Sequence, residues 1–168
     1  VPGNDAGAGP AHERLRRVLA EHLRRSRGVT VAPDDLLIVP GVGASLRALP
    51  VALGLVGATV ALEDPGYVEA WTAFEAEGAR VAAVPVDGDG LDPALVPRDA
   101  RAAYVTPSHQ YPLGARMPVT RRALLLEWAR GTDSLVLEDD YDGEFRYDVS
   151  PLPALRSLPG AQDHVVYI

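Results

Sequence analysis

The chain has 168 residues, 47% hydrophobic and 23% charged, with a net charge of −7, no cysteine, and arginine as its only Lys/Arg-type base. That length fits one domain able to bury roughly two thirds of the surface its unfolded form exposes. Disulfides, thiolate metal sites and lysine-dependent chemistry by this chain are excluded, and no run approaches the ~18 apolar residues of a membrane span, so a soluble, cytoplasmic protein is expected.

Residues 1–10, rich in Gly and Pro and without a basic start or apolar stretch, read as a flexible arm rather than a signal peptide, leaving 11–168 as the folded part. Leu15, Val18, Leu19, His22 and Leu23 recur at helical spacing, which predicts an amphipathic helix over about 11–26 that stops near Gly28. Arg14, Arg16, Arg17, Glu21, Arg24 and Arg25 then fall on its other faces. A solvated face is the expected reading, with a basic patch for a partner or nucleic acid as the alternative; the negative net charge disfavours nucleic-acid binding by the chain as a whole.

Short apolar strands follow at about 36–39, 58–62, 80–84, 102–105, 134–138 and 164–168, interleaved with helices at about 44–54, 67–77 and 120–130. Such alternation predicts a three-layer α/β/α fold with a mostly parallel sheet. Gly57, Gly78 and Gly131 are placed to stop helices, and Pro65-Gly66 and Asp87–Gly90 to form turns. The last strand closes at Ile168, so an edge is expected that another segment or subunit covers.

Four segments follow strands, where open α/β sheets collect their ligands. Gly41-Val42-Gly43-Ala44-Ser45 opens a helix, a place where backbone amides hold an anion, although a plain connection uses the same residues. It matches no nucleotide-binding pattern, and a P-loop would need a lysine. Glu63-Asp64-Pro65-Gly66-Tyr67 sets a ring at the start of a helix, for ligand stacking or for packing. Thr106–Gly114 is too polar for a core segment; within it His109 suits either proton transfer or positioning. Glu138–Tyr147 concentrates carboxylates and phenols. Paired Asp139 and Asp140 could hold Mg²⁺, but the calcium-loop spacing begun at Asp140 does not continue, and no metal site is expected. Glu144 and Arg146 are expected to pair at the surface.

Taken together and in order, Glu63–Tyr67, Thr106-Pro-Ser-His-Gln-Tyr-Pro112 and Glu138-Asp-Asp-Tyr-Asp-Gly-Glu-Phe-Arg-Tyr147 resemble the aminotransferase-like domain of MocR-type regulators of the GntR family. The resemblance runs from about residue 11 to the end, through Pro151–Leu155 and the closing Val-Val-Tyr-Ile. It implies an incomplete large domain of a fold-type-I transferase that binds pyridoxal 5′-phosphate (PLP). By it, Asp139 would pair with the pyridine nitrogen and Tyr67 would stack on the ring. Tyr141, His109 and Gln110 would lie near the phenolic oxygen, and Gly41, Val42 and Gly43 would meet the phosphate.

The family's usual Ser or Thr before the turn glycine and Ala-Gln after it are replaced by Pro40, Val42 and Gly43, which implies a weaker phosphate hold. Leu113 stands where a small or hydroxylated residue is common, and Ala11 precedes His12 where a glycine is usual. The family's Schiff-base lysine and its substrate-carboxylate arginine belong after Ile168. The chain alone therefore supplies no catalytic residue, and no transaminase turnover is expected from it. The resemblance further implies a homodimeric whole protein that senses an amino acid or amine and reaches DNA through an N-terminal winged helix. Two alternatives stay open: a fragment of a free-standing PLP-dependent aminotransferase, and a cofactor-free interaction domain.

Overall fold

A computed structural model describes residues 9–143 and 152–168. The arm over 1–8 and the Glu144–Arg146 pair lie outside the described residues. Among the described residues six strands build one sheet: β1 (Thr59–Asp64), β2 (Arg80–Asp87), β3 (Gly90–Leu91), β4 (Ala100–Val105), β5 (Leu135–Glu138) and β6 (Val165–Tyr167), in the order β3-β2-β1-β4-β5-β6. All neighbours pair in parallel except β2 with β3, a short antiparallel hairpin through Asp87–Gly90.

Strand residues alternate between two cores, as a sheet covered on both faces requires. Val60, Leu62, Ala102, Tyr104 and Leu137 pack beneath helices α2 (Val42–Ala52) and α3 (Val68–Ala76), against Leu46, Ala70 and Phe74. Ala61, Ala103, Val105 and Val136 face the opposite way, onto Leu125, Leu126 and Ala129 of α4 (Val119–Thr132). The result is the expected three-layer α/β/α arrangement.

Helix α1 (Pro10–Ser26) is less committed. None of residues 11–26 is buried, and Leu15 and Val18 on its apolar stripe are 41% and 58% exposed. Its arginines behave as a solvated face, with Arg17 paired to Glu13 and both Arg24 and Arg25 paired to Glu21. Only past its last turn does the chain enter the core, through Arg27 and Val29, each 2% exposed.

Three expectations are corrected. Residues 36–39 form no strand, and Leu37 is 82% exposed. A β-conformation needs a hydrogen-bonded neighbour, and among the described strands none pairs with this segment; β6 pairs with β5. Gly131 lies inside α4 rather than closing it. The helix is stopped by Asp133 in the left-handed region (φ 51°), with its N–H bonded to the Ala129 carbonyl; Asp tolerates that region better than most residues. Strand β2 also runs past residue 84 to Asp87, because its second half gains partners on both sides, Asp64 of β1 opposite Pro85 and Leu91 of β3 opposite Val86.

Candidate functional site

Chain order reverses between β1 and β4: from β1 the sheet continues to β2 on one side and to β4, β5 and β6 on the other. Loops leaving the carboxyl ends of β1 and β4 therefore part company, and a crevice opens between them. A cavity of about 600 Å³ occupies this position, walled by Tyr67 after β1, Thr106 and Tyr111 after β4, and Asp139, Asp140 and Tyr141 after β5. Gly41, Val42 and Ser45, from the start of α2, close the remaining side, with Ile168 at the edge.

Asp139 is the chemical centre of this cavity. It follows the last residue of β5, its N–H is bonded to the Val105 carbonyl at 2.9 Å, and its residue is 5% exposed. The Tyr104 hydroxyl, directed from the neighbouring strand, donates to its Oδ2. Burial pushes the Asp139 carboxyl above the ordinary range; the Tyr104 hydrogen bond opposes that push and the charge of Asp140 adds to it. Burial, followed by the Asp139 charge, likewise raises the Tyr104 hydroxyl, so it stays a donor. Among the described residues that line the cavity there is no cation. A buried carboxylate with one phenol for company is stabilised in its ionised form by a positively charged N–H brought in by a ligand.

A framework of buried polar groups fixes the loops on this side. Glu63, 2% exposed at the end of β1, accepts from the Thr106 N–H at 3.2 Å and the Thr106 hydroxyl at 2.6 Å. The Gln110 side-chain nitrogen reaches the Pro65 carbonyl at 2.8 Å and the Tyr111 carbonyl at 2.6 Å, while its oxygen accepts from the Leu113 N–H at 3.1 Å. Burial pushes the Glu63 carboxyl up to about 7 against these hydrogen bonds. The turn at Gly66 is tight as well: a Cβ there would stand 2.2 Å from the Glu63 carbonyl oxygen, so only glycine fits.

Beneath the loops, Arg122 of α4 is fully buried and donates to the carbonyls of Met117 (3.0 Å), Pro153 (2.9 Å) and Pro107 (2.7 Å). It also lies 3.7 Å from Glu138, whose carboxylate accepts from the Leu155 and Arg156 N–H groups at 2.7 and 2.8 Å.

Of the residues singled out from sequence, Asp139, Tyr141, Tyr67, Gly41 and Val42 come together on the cavity wall. Tyr67 meets Tyr111 edge to face at 5.7 Å, and Tyr111 meets Tyr141 in the same manner at 6.2 Å. His109, Gln110 and Gly43 are not part of the wall. His109 stacks behind Tyr141 at 6.1 Å and pairs with Asp142, a positioning arrangement, while Gln110 is spent on the loop framework. Gly43 already belongs to α2, where a Cβ would meet the Arg47 side chain at an ordinary 3.7 Å. Gly41 differs, since its φ of 95° is one that L side chains rarely adopt. It N-caps α2 with no side-chain cap hydrogen bond, and the N-terminus of a helix is a place where an anion can be held.

Sequence reasoning missed Tyr104, Tyr111, Thr106 and Arg27. Tyr104 reads as an ordinary strand aromatic, and its only signal is a hydroxyl two positions from a polar loop. Asp140, weighed from sequence as a Mg²⁺ ligand beside Asp139, is instead neutralised by Arg27, with Nε 2.6 Å from its Oδ2.

The donor set fits a phosphorylated pyridine. The cavity lining combines a carboxylate, the N-terminus of a helix with the Ser45 hydroxyl, and tyrosine rings. Among the described residues no helix is long and apolar enough to cross a membrane.

Comparison with known proteins gives one consistent picture. The profile of the family described as aminotransferase class I and II matches residues 4–148. The HTH-type pyridoxine biosynthesis transcriptional regulator PdxR of Corynebacterium glutamicum is 41% identical over 145 residues, 86% of this chain and 32% of that protein. The probable rhizopine catabolism regulatory protein MocR of Rhizobium meliloti is 39% identical over 149 residues, 88% of this chain and 30% of that protein. Among solved structures, an archaeal alanine:glyoxylate aminotransferase superposes with a TM-score of 0.85 at 29% identity, covering 99% of this chain and 44% of that one. Kynurenine aminotransferase of Pyrococcus horikoshii, solved with PMP, reaches 0.80 at 28% identity over 91% of this chain and 40% of its own. The chain spans about a third of the length of these curated relatives.

Proposed function

The chain belongs to the aminotransferase class I and II family, and from that premise we propose that it is the PLP-binding part, residues 11–168, of a MocR-type transcriptional regulator. The observation that carries the reading is the placement of Asp139, buried, bonded to Tyr104 and sharing one cavity with Tyr67 and Gly41. In this role Asp139 would hold the pyridine N–H and keep it protonated, Tyr67 and Tyr141 would flank the ring, and the Gly41–Ser45 turn would receive the phosphate. Bound PLP supplies an electron-withdrawing ring and an aldehyde that condenses with amines. What the chain contributes is orientation and charge: Tyr104 keeps the Asp139 carboxylate aimed, and the Glu63–Gln110 framework keeps water and loop motion away from it.

The regulatory reading is supported by where similarity is highest. Several HTH-type regulators reach 38–41% identity and others 25–29%, whereas an aromatic-amino-acid aminotransferase of Thermococcus litoralis stands at 26%. In the whole protein, an amino acid or amine meeting PLP in this cavity would change the packing of a cytoplasmic homodimer and the placement of N-terminal DNA-binding modules. Calorimetry of the full-length protein with PLP tests the first half, expecting one site per chain; absence of binding would favour a cofactor-free interaction domain. Operator-binding assays with and without PLP and a panel of amino compounds test the second. An unresponsive protein with rapid amino-group transfer would instead be a free-standing aminotransferase.

A further inference from the structure

We propose that Arg27 is a positioning residue for the cavity, holding the Asp139–Asp140 turn in place and thereby tying the end of helix α1 to the site. The inference rests on the PLP-binding reading above. Arg27 is the last of six arginines between residues 14 and 27, and it alone leaves the solvated face to become 2% exposed. Gly28, at φ 72°, lets the chain turn directly after it, so the side chain enters the core instead of continuing the helix.

Three separate elements meet on this guanidinium. Its Nε lies 2.6 Å from Asp140 Oδ2, and both side chains are 1% exposed. Its Nη2 donates to the Ser108 hydroxyl at 2.7 Å, in the loop after β4. The Tyr167 hydroxyl of β6 donates to the same Asp140 oxygen. The main chain joins in, the Ala154 N–H bonding the Arg27 carbonyl at 3.3 Å and the Asp140 N–H bonding the Ile168 carbonyl at 3.2 Å.

Asp139 and Asp140 are consecutive, so their side chains leave the end of β5 in different directions. Both line the cavity, Asp139 bonded by the Tyr104 hydroxyl and Asp140 anchored by Arg27. Two adjacent carboxylates in a buried site repel one another, and Arg27 supplies an opposite charge beside Asp140. Lysine could neutralise Asp140, but a single ammonium lacks the planar fork that spans Asp140 and Ser108 together. No residue of 11–26 is buried whereas Arg27 is, so this contact is a junction through which a change at Asp139 can reach that helix.

The test uses the full-length protein, its Arg27→Lys variant, a Ser108→Ala variant that removes the hydroxyl accepting from Arg27, and Leu125→Ala as a control that weakens the α4 core. PLP affinity is measured by calorimetry, and hydrogen exchange of the amides in residues 20–28 is followed with and without PLP. In the parent protein PLP slows exchange in this segment. Arg27→Lys weakens PLP binding about tenfold and Ser108→Ala about threefold, the scale of one lost hydrogen bond, and both lose most of the slowing. Leu125→Ala, although less stable, keeps both. Unchanged affinity and unchanged slowing in Arg27→Lys and Ser108→Ala would overturn the assignment while leaving the PLP reading intact. Losses of the same size in Leu125→Ala would reduce Arg27 to a general stability effect, and failure of the parent protein to bind PLP would refute both.

Discussion

The two walls of the cavity are built on different principles. On the side of the loops after β1, β4 and β5, buried polar groups are bonded to one another: Glu63 to Thr106, Gln110 to two carbonyls, Asp139 to Tyr104, and Arg122 to three carbonyls below. On the side of residues 39–45, Val39 and Val42 are 43% and 39% exposed and the α2 N-terminus has no side-chain cap. The first wall has its geometry set before any ligand arrives, which is what a directional hydrogen bond to a ring nitrogen requires. The second offers backbone amides and a glycine, a surface that recognises an anion by field and reach. Pre-organisation is concentrated where direction matters most.

This contrast can be broken most severely at Arg122. Arg122→Met would leave Glu138 buried without its cation and three carbonyls without a donor, costing about 3 to 5 kcal/mol in urea unfolding. A loss under about 1 kcal/mol would mean that the first wall is not held from below.

The next largest effect is one of pH. The folded Glu63 carboxyl sits at about 7, above its ordinary 4.5, so between those values the native state holds a proton that the unfolded chain has lost. Its contribution is therefore fully present below about pH 4.5 and disappears as pH rises through 7, an effect of order 2 to 3 kcal/mol. Glu63→Gln retains an acceptor for Thr106 and removes the titration. The stability difference between parent and variant should accordingly shift toward the variant from pH 4.5 to 7; a constant difference would show that Glu63 titrates normally.

Asp139→Asn sharpens the ligand side of the comparison. The change keeps the shape and deletes the charge, and PLP affinity of the full-length protein should fall by about 1.5 to 3 kcal/mol, the scale of a hydrogen bond to a charged group. Calorimetry with intact secondary structure by circular dichroism decides it. Gly41→Ala probes the opposite wall with the smallest change. No atom lies within 4 Å of the added methyl, so the cost comes from φ 95° alone, about 1 to 2 kcal/mol of stability, with a PLP loss well below that of Asp139→Asn.

Much of the site could be read from sequence because its parts are local. Carboxylates after an apolar run, a Pro-Gly-Tyr turn and a glycine before a helix each announce a loop at a strand's end, and five of the eight residues singled out share the cavity wall. His109 and Gln110 lie in the loop after β4 but not on the cavity wall, because which way a loop residue points depends on partners such as Asp142 and Pro65 that lie far away in the chain. The segment 36–39 misled for a related reason: its apolar residues favour a strand, yet a strand exists only with a neighbour. Arg27 was hidden by company, sitting at the end of an arginine-rich helix where only the following Gly28 hinted at a change of direction.

Amino-acid order alone determined the alternation of strands and helices, the three layers and the polar character of the loops at the carboxyl ends, since these follow from periodicities of two and 3.6 residues and from turn chemistry within a few positions. Tertiary structure decided that Asp139 meets Tyr104, that Asp140 is paired to Arg27, and how high the Glu63 carboxyl is driven. Those outcomes depend on burial and on charges brought together from residues dozens of positions apart, and no local pattern encodes that distance.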